Sequence, residues 1–170
     1  MKELFEYDNA LVKYYKGLSS YLTPLSCWEF YGEALLDIEK FKDDFIELKK
    51  LTKDWNFSIN CMEEFLGKER VIVVTNPNLK IVYSSHNIEK MNGYTSAEIL
   101  GKSPKMFQGE ETCRNTSLSI REAVQNQVPF EVSILNYRKD SSTYYCNIEG
   151  FPVFDKRGVL VNYIAFEKAA

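Results

Sequence analysis

Few residues in this chain have the types and spacing that catalysis or metal binding requires. The tripeptide Gly101-Lys102-Ser103 has the ending of a phosphate-binding loop, but the position five residues earlier, where such a loop needs a glycine, is Ser96. The only histidine, His86, has no other metal-ligand type beside it. No nucleophile, base and orienting residue can be assembled from this set, so the sequence predicts a protein that is not an enzyme.

The cysteines and the apolar segments are equally uninformative about chemistry, but they indicate a compartment. Four cysteines lie far apart without the C-x-x-C spacing of zinc or redox sites. We interpret them as small hydrophobic residues in a reducing environment; they are Cys27, Cys61, Cys113 and Cys146. Because the N-terminus lacks the apolar centre of a signal peptide and no apolar run reaches membrane-spanning length, we expect a cytoplasmic protein without membrane contact.

The composition indicates an ordinary globular chain. It has 170 residues, of which 45% are hydrophobic and 14% aromatic, and a formal net charge of -3. This length is sufficient for a core without metal or disulfide support. No basic run is present to bind phosphates along a strand, so we expect no nucleic-acid partner.

The apolar periodicity divides the chain into two parts. Helical spacing dominates up to about residue 66, and alternation of period two dominates after about residue 128. We therefore predict an N-terminal helical extension over 1–66 and a second domain over 67–170. Within the extension, Ser26 and Glu29 have the spacing of a capping box and predict the start of a long helix.

That long helix carries an apolar seam with alternating spacings of three and four residues, flanked by charged residues. Two interpretations are open: the seam packs on its own domain, or it forms the interface of a homodimer, although it is too short for a confident coiled coil. The seam residues are Tyr31, Ala34, Ile38, Phe41, Phe45 and Leu48.

The second part of the chain predicts an α+β fold. Thr95 and Glu98 form a second capping box, which predicts a short helix, and 114–127 has the spacing of a longer one. Together these features predict a five-stranded antiparallel sheet with short helices on one face, preceded by the helical extension. The predicted strands cover 70–75, 80–85, 130–139, 143–154 and 159–168.

This order of elements resembles a PAS domain, and several motifs resemble its light-oxygen-voltage (LOV) branch. The motifs are "IEKMNGYTSAEILGK", "FQGEET", "IREA", "LNYRKD", "FPVFD" and "GVLVNYIAFE". They cover roughly residues 68–168. In that branch a flavin lies between the helices and the sheet, and a cysteine in a short helix attacks it under blue light.

The resemblance also shows where this chain departs from the family. The Asn-Cys-Arg of the LOV branch is here Ser103-Pro104-Lys105. A proline ring carries no thiol, so a cysteinyl adduct cannot form at this position. Alternation along its strand predicts that Asn147 faces inward and that Cys146 points to the other face.

The resemblance implies a set of polar ligand contacts: Lys105, Gln108, Arg121, Asn136 and Asn147. Lys105 and Arg121 could neutralise a phosphate. Glu167, however, replaces a glutamine that reads the flavin edge, and an ionised carboxylate only accepts hydrogen bonds. Glu149 is predicted to face inward beside it, and both need partners or raised pKa values; the candidate partners are Lys105, Arg121 and Tyr163.

Three interpretations of the interior therefore remain open: a flavin such as FMN, another small ligand, or a filled core. The leading functional prediction is a non-catalytic sensory PAS protein that binds a small ligand or protein partner and signals through dimer or partner contacts of its N-terminal helices. The alternatives are a flavin-binding light or redox sensor without adduct chemistry, and a ligand-free oligomerisation scaffold.

Overall fold

The computed structural model describes residues 40–56 and 70–170. The predicted capping box at Ser26 and Glu29 lies outside these ranges, as do the seam residues Tyr31, Ala34 and Ile38. Residues 40–51 are helical and are here called α1. A short 3₁₀ segment, Thr52–Asp54, follows it.

The sheet has five strands in the spatial order β2-β1-β5-β4-β3, and all neighbours are antiparallel. This arrangement confirms the predicted fold class. The central strand is β5, so it contacts strands from both halves of the sheet. The strands are β1 Val71–Thr75, β2 Ile81–Ser84, β3 Phe130–Tyr137, β4 Thr143–Phe154 and β5 Leu160–Ala169.

The connection between β2 and β3 supplies the helices, whose bounds follow local signals in the sequence. The capping box of Thr95 and Glu98 is present at the start of α3, as predicted. Pro104 opens a 3₁₀ turn, Pro104–Phe107, where its fixed φ is compatible with a helical start. The three helices are α2 Ile88–Asn92, α3 Ser96–Ile99 and α4 Arg114–Gln125.

The sheet is covered on both sides. On the side of α2, α3 and α4, here called the helix-facing side, one cluster contains Val71, Val73, Ile81, Ile88, Ile99 and Phe107. On the opposite, outer side, Leu48 of α1 is fully buried against Ile72, Val74, Ile164 and Phe166, with Phe41 packed at the margin. Of the described seam residues, Leu48 and Phe41 therefore pack against the sheet of the same unit.

Two further sets of contacts attach residues 40–56 to the sheet. The Trp55 indole N–H donates to Asn162 Oδ1 at 3.0 Å, and the Asn56 N–H donates to the Phe154 carbonyl at 2.8 Å. At the other end, Asp44 Oδ2 lies 2.9 Å from the backbone nitrogen of His86 and 2.6 Å from its Nδ1. Residues 39–170 form one compact unit; the domain boundary at 66/67 stays a prediction.

Among the described residues, none of the helices combines the length and the apolar character needed to span a bilayer.

Candidate ligand site

The helix-facing side of β3, β4 and β5 carries a group of buried polar side chains. Residues directly opposite each other in an antiparallel pair share one face, and Asn136 lies opposite Tyr144 while Ile134 lies opposite Cys146. Ile134, Tyr144 and Cys146 pack together with residues of α2 and α4, which fixes this face as the helix-facing one. The buried polar cluster comprises Asn92, Asn136, Tyr144, Cys146 and Glu167.

Glu167 is the ionisable centre of this cluster. It lies opposite Val71 on β1 and Ile148 on β4, and the residue is only 5% exposed. The Cys146 thiol donates to Glu167 Oε2 with an S···O distance of 3.7 Å. Burial raises the pKa of Glu167 to about 7, because a dry environment disfavours the charged carboxylate.

The acid also affects the groups beside it. Burial, and then the negative charge of Glu167, raise the pKa of the Cys146 thiol. Burial is likewise the main reason that the pKa of Tyr144 is raised, with smaller contributions from Cys146 and Glu167. Cys146 is therefore a neutral thiol and a hydrogen-bond donor, not an activated nucleophile.

Two donors of the cluster, Asn92 Nδ2 and the Tyr144 hydroxyl, form no hydrogen bond of good geometry within the described ranges, although the Asn92 and Asn136 amides lie close enough to the hydroxyl to oppose the rise in the Tyr144 pKa. The remaining groups of these side chains are satisfied or covered. Asn92 Oδ1 accepts from the Tyr94 backbone N–H at 3.0 Å, and the Arg138 guanidinium lies 4.5 Å from the Tyr144 ring centroid. Hydrogen bonds of poor geometry leave part of the free energy of a buried donor unrecovered, so the cluster could accept a better partner at these two groups.

Accessible space remains beside Glu167 on the same face. Ala165, two residues earlier on β5, lies between Val73 and Gly150 in the sheet. Both neighbours are buried, yet Ala165 is only half-buried although its strand is central. Further along β5, the Tyr163 hydroxyl donates to the Val124 carbonyl of α4 at 2.8 Å. Tyr163 thus joins the helix to the sheet and is not a partner of either glutamate.

The prediction of which β4 side chains face the helices is wrong by one residue. Asn147 is exposed on the outer side, opposite Ser133, whereas Cys146 is fully buried on the helix-facing side, opposite Ile134. The register with β3 decides this orientation, and a shift of one residue reverses every side chain. Asn147 therefore does not reach the interior.

The predicted orientation of Glu149 is also wrong. It lies on the outer side, opposite Phe166 of β5. Its two carboxylate oxygens accept from Arg70 Nη1 and Nη2 at 2.8 and 2.7 Å, a bidentate pair. Arg70, which precedes β1, is thus the partner of Glu149 instead of Lys105, Arg121 or Tyr163.

The other predicted contacts do not converge on the buried polar cluster. Lys105 and Arg121 are exposed, and neither forms a salt bridge within 40–56 or 70–170. Gln108 is half-buried, and its Oε1 lies 3.5 Å from Ser117 Oγ. Asn136, which is 4% exposed, is the one amide of the predicted set that faces the interior. The ligand-contact roles of these residues stay predictions.

The positions of these residues show whether the site could bind the flavin that the resemblance implies. A flavin presents an imide edge, in which an N–H lies between two carbonyl groups, and it needs protein groups that both donate and accept. Of the two predicted asparagines only Asn136 is available, and Glu167 only accepts when it is ionised. With Glu167 ionised, the described side chains therefore do not supply the hydrogen-bonding set that was predicted for flavin.

Sequence reasoning missed Asn92, Tyr144, Cys146 and Arg70. The signal for Cys146 was its spacing of two from Tyr144 and Ile148, which together form the apolar alternation of β4. Nothing local to the sequence links Arg70 to Glu149 or Asn92 to the strands, since these contacts join distant parts of the chain.

The domain is a small α+β domain: an antiparallel five-stranded sheet carries short helices on one side. The buried acid Glu167 lies between these helices and the sheet. A family model described as "PAS domain" matches residues 69–168. The chain belongs to the PAS domain family.

Similar proteins lie in the LOV branch. "Protein TWIN LOV 1" of Arabidopsis thaliana is 39% identical over 88 residues, covering 51% of this chain and 22% of that protein. "Phototropin-2" of Oryza sativa subsp. japonica is 30% identical over 129 residues, covering 74% of this chain and 14% of that protein. The chain thus spans less than a quarter of the length of these relatives.

A solved structure shows the same similarity. The dark structure of the blue-light photoreceptor Aureochrome1 LOV matches with a TM-score of 0.60 and 27% identity, covering 68% of this chain and 86% of that one. The similarity confirms the predicted relation to LOV domains, which are sensory domains.

Proposed function

We propose that this chain is a non-catalytic sensory PAS domain that binds a small ligand between α4 and the helix-facing side of the sheet. The observation that carries the proposal is Glu167, a buried acid whose one hydrogen-bond partner among the described residues is a thiol. An uncompensated buried carboxyl destabilises a fold, and perturbed acids of this kind cluster at functional sites. The half-buried Ala165 beside it supplies the space for a ligand.

The proposed signal reaches α1 along two short routes. Phe166 directly precedes Glu167 on β5. It faces the outer side of the sheet and belongs to the same cluster as Leu48 of α1. Asn92 ends α2, and the loop that leads into α2 contains His86, which contacts Asp44 of α1. A ligand that displaces β5 or α2 would therefore alter the packing of α1.

The proposed output is a contact made by the N-terminal helices, either with a second copy of the chain or with a signalling protein in the cytosol. A light-state dimer is the subject of one similar structure, that of the fungal blue-light photoreceptor Vivid, which at 21% identity supports the fold alone. Because Leu48 packs on the sheet, the dimer remains a proposal that rests on the sequence pattern of the other seam residues, Tyr31, Ala34 and Ile38.

Hydrogen exchange tests the proposed route. The compound that heat releases from the purified chain is identified and added back to the ligand-free protein, and exchange of amides 40–51 is compared with and without it. We expect altered exchange in α1 as well as in β5. A change confined to the residues around the ligand would refute the relay, while a protein that releases and binds nothing would favour the ligand-free scaffold.

A flavin sensor without adduct chemistry is the second candidate, and the similarity to LOV domains favours it. The absorption spectrum of the purified protein separates the two candidates. Flavin bands would establish that Gln108 and Asn136 suffice to hold the ring system despite Glu167. A colourless protein that releases another compound would support the leading proposal.

A further inference from the structure

The hydrogen-bonding state of Glu167 restricts the kind of ligand that the proposed site accepts. Oε2 accepts from the Cys146 thiol, a weak donor, and Oε1 has no partner among residues 40–56 and 70–170. No lysine or arginine in those ranges forms an ion pair with the acid. A carboxylate can accept about four hydrogen bonds, so a ligand that satisfies it must supply donors.

The space beside the acid restricts the shape of the ligand. Ala165 lies between Val73 of β1 and Gly150 of β4 in the sheet, and its side chain is only a methyl group. Half-buried Ile148 of β4 and Ile120 of α4 provide apolar surfaces beside the cluster. A flat ring can lie along such an apolar surface.

We propose that the site selects a planar heterocycle with an amidine-type edge, in which a ring N–H and an adjacent NH₂ group donate in parallel to Glu167. This inference rests on the proposed ligand-binding function. Two parallel N–H···O bonds to one carboxylate combine directionality with charge assistance. An imide edge would instead place carbonyl oxygens against the carboxylate, and two acceptors repel each other.

A matched pair of compounds tests the edge directly. Pterin and lumazine share the same two-ring system and differ at position 2, where pterin carries an amino group and lumazine an oxo group. The ligand-free 170-residue chain is titrated with each compound at pH 7 in a calorimeter. We expect pterin to bind at least about tenfold more tightly than lumazine, the ratio that one charge-assisted hydrogen bond provides.

Two variants test whether the preference for pterin over lumazine depends on Glu167. Glu167→Gln keeps the shape of the side chain but turns one acceptor into a donor, so we expect the preference for pterin to disappear or reverse. Glu131→Gln makes the same change at an exposed position on the outer side of β3, opposite Glu149. It should leave both affinities within about twofold of the original values, the ordinary range for a remote surface change. Thermal unfolding verifies that both variants are folded.

The outcomes separate this inference from the proposed function. Tighter binding of lumazine or FMN than of pterin would overturn the amidine-edge inference and leave ligand binding intact. A preference for pterin that survives Glu167→Gln would remove Glu167 from the recognition. If neither compound binds and heat releases nothing from the purified protein, both the inference and the proposed function fail.

Discussion

The chemistry of this domain is concentrated in one residue, Glu167. Its position two residues beyond Ala165 on the central strand places a carboxyl where apolar side chains of β1 and β4 surround it. Burial therefore favours the protonated form. Any ligand bound at this acid, as we propose, would therefore bind in a manner linked to the protonation of Glu167.

Stability should depend on pH through Glu167. Its pKa is about 7 in the folded protein against an ordinary value of 4.5, so the folded state binds the proton more tightly. The contribution of this proton to the free energy of unfolding is complete below pH 4.5 and is lost as the pH rises through 7. The shift corresponds to a loss of roughly 3 kcal/mol. Urea unfolding of ligand-free protein between pH 5 and pH 8, in steps of about one unit, measures this loss.

Glu167→Gln serves as the test of that assignment. Because the amide does not titrate, the free energy of unfolding of this variant should change much less over the same pH range, while Glu131→Gln should follow the original protein. Equal pH dependence in all three proteins would show that another group controls the stability.

At the scale of secondary structure, α1 is part of the described PAS unit. Leu48 has no exposed surface and lies in the outer cluster with Ile72 and Phe166. Two residues earlier on the same helix, Ile46 is 42% exposed. A helix attaches to a sheet mainly by the apolar face that it buries, so these two positions should respond differently to truncation.

Leu48→Ala should lower the free energy of unfolding by about 2 to 5 kcal/mol, because it leaves a cavity between α1 and the sheet. Ile46→Ala is the matched control, and we expect a change within about 0.5 kcal/mol for this exposed position. Chemical denaturation of both variants provides the comparison. Similar small losses in both would mean that α1 does not pack on the sheet in solution.

Another prediction at this scale concerns the contact between the edge strand β3 and its neighbour β4. The Phe130 ring of β3 lies over Gly150 of β4, its partner in register, and a Cβ at position 150 would collide with the ring. Gly150→Ala should therefore cost about 1 to 3 kcal/mol, as overpacking does. In a Phe130→Ala background the same change should cost less, since contacting sites are not additive. A double-mutant cycle by urea unfolding measures the difference, and strict additivity would contradict the predicted contact.

The sequence predicted the elements better than it predicted their orientation. The bounds of β4 agree with the prediction of 143–154, and the capping box of α3 lies where the Thr95 and Glu98 pair indicated it. Alternation alone cannot show which set of alternating residues faces the helices when both sets contain apolar residues. That choice depends on register with β3 and β5, so Cys146 and Asn147 were assigned to the wrong faces.

The pairing of Glu149 was unpredictable for a related reason. Its partner, Arg70, is 79 residues away in the chain, and no local pattern marks such a pair. Glu167 was recognised from the sequence as a carboxyl that needs a partner or a raised pKa. Its actual environment, with the Cys146 thiol as hydrogen-bond partner and apolar neighbours on β1 and β4, became evident only once the strands were in register.

At the scale of the whole described unit, β5 connects the two sides of the sheet. Its residues alternate between the helix-facing side, where Glu167 lies, and the outer side, where Phe166 contacts the cluster that includes Leu48. A single strand thus carries both the proposed ligand contact and the packing of α1. The proposed sensing site and the proposed output surface are therefore separated by the thickness of one sheet.

Native mass spectrometry of the purified 170-residue chain tests ligand binding most directly. The account predicts a mass excess that corresponds to one small molecule per chain, that is retained in Glu131→Gln and that is much reduced in Glu167→Gln. A bare polypeptide mass in all three proteins, unchanged after titration with pterin, lumazine and FMN, would contradict ligand binding on the helix-facing side.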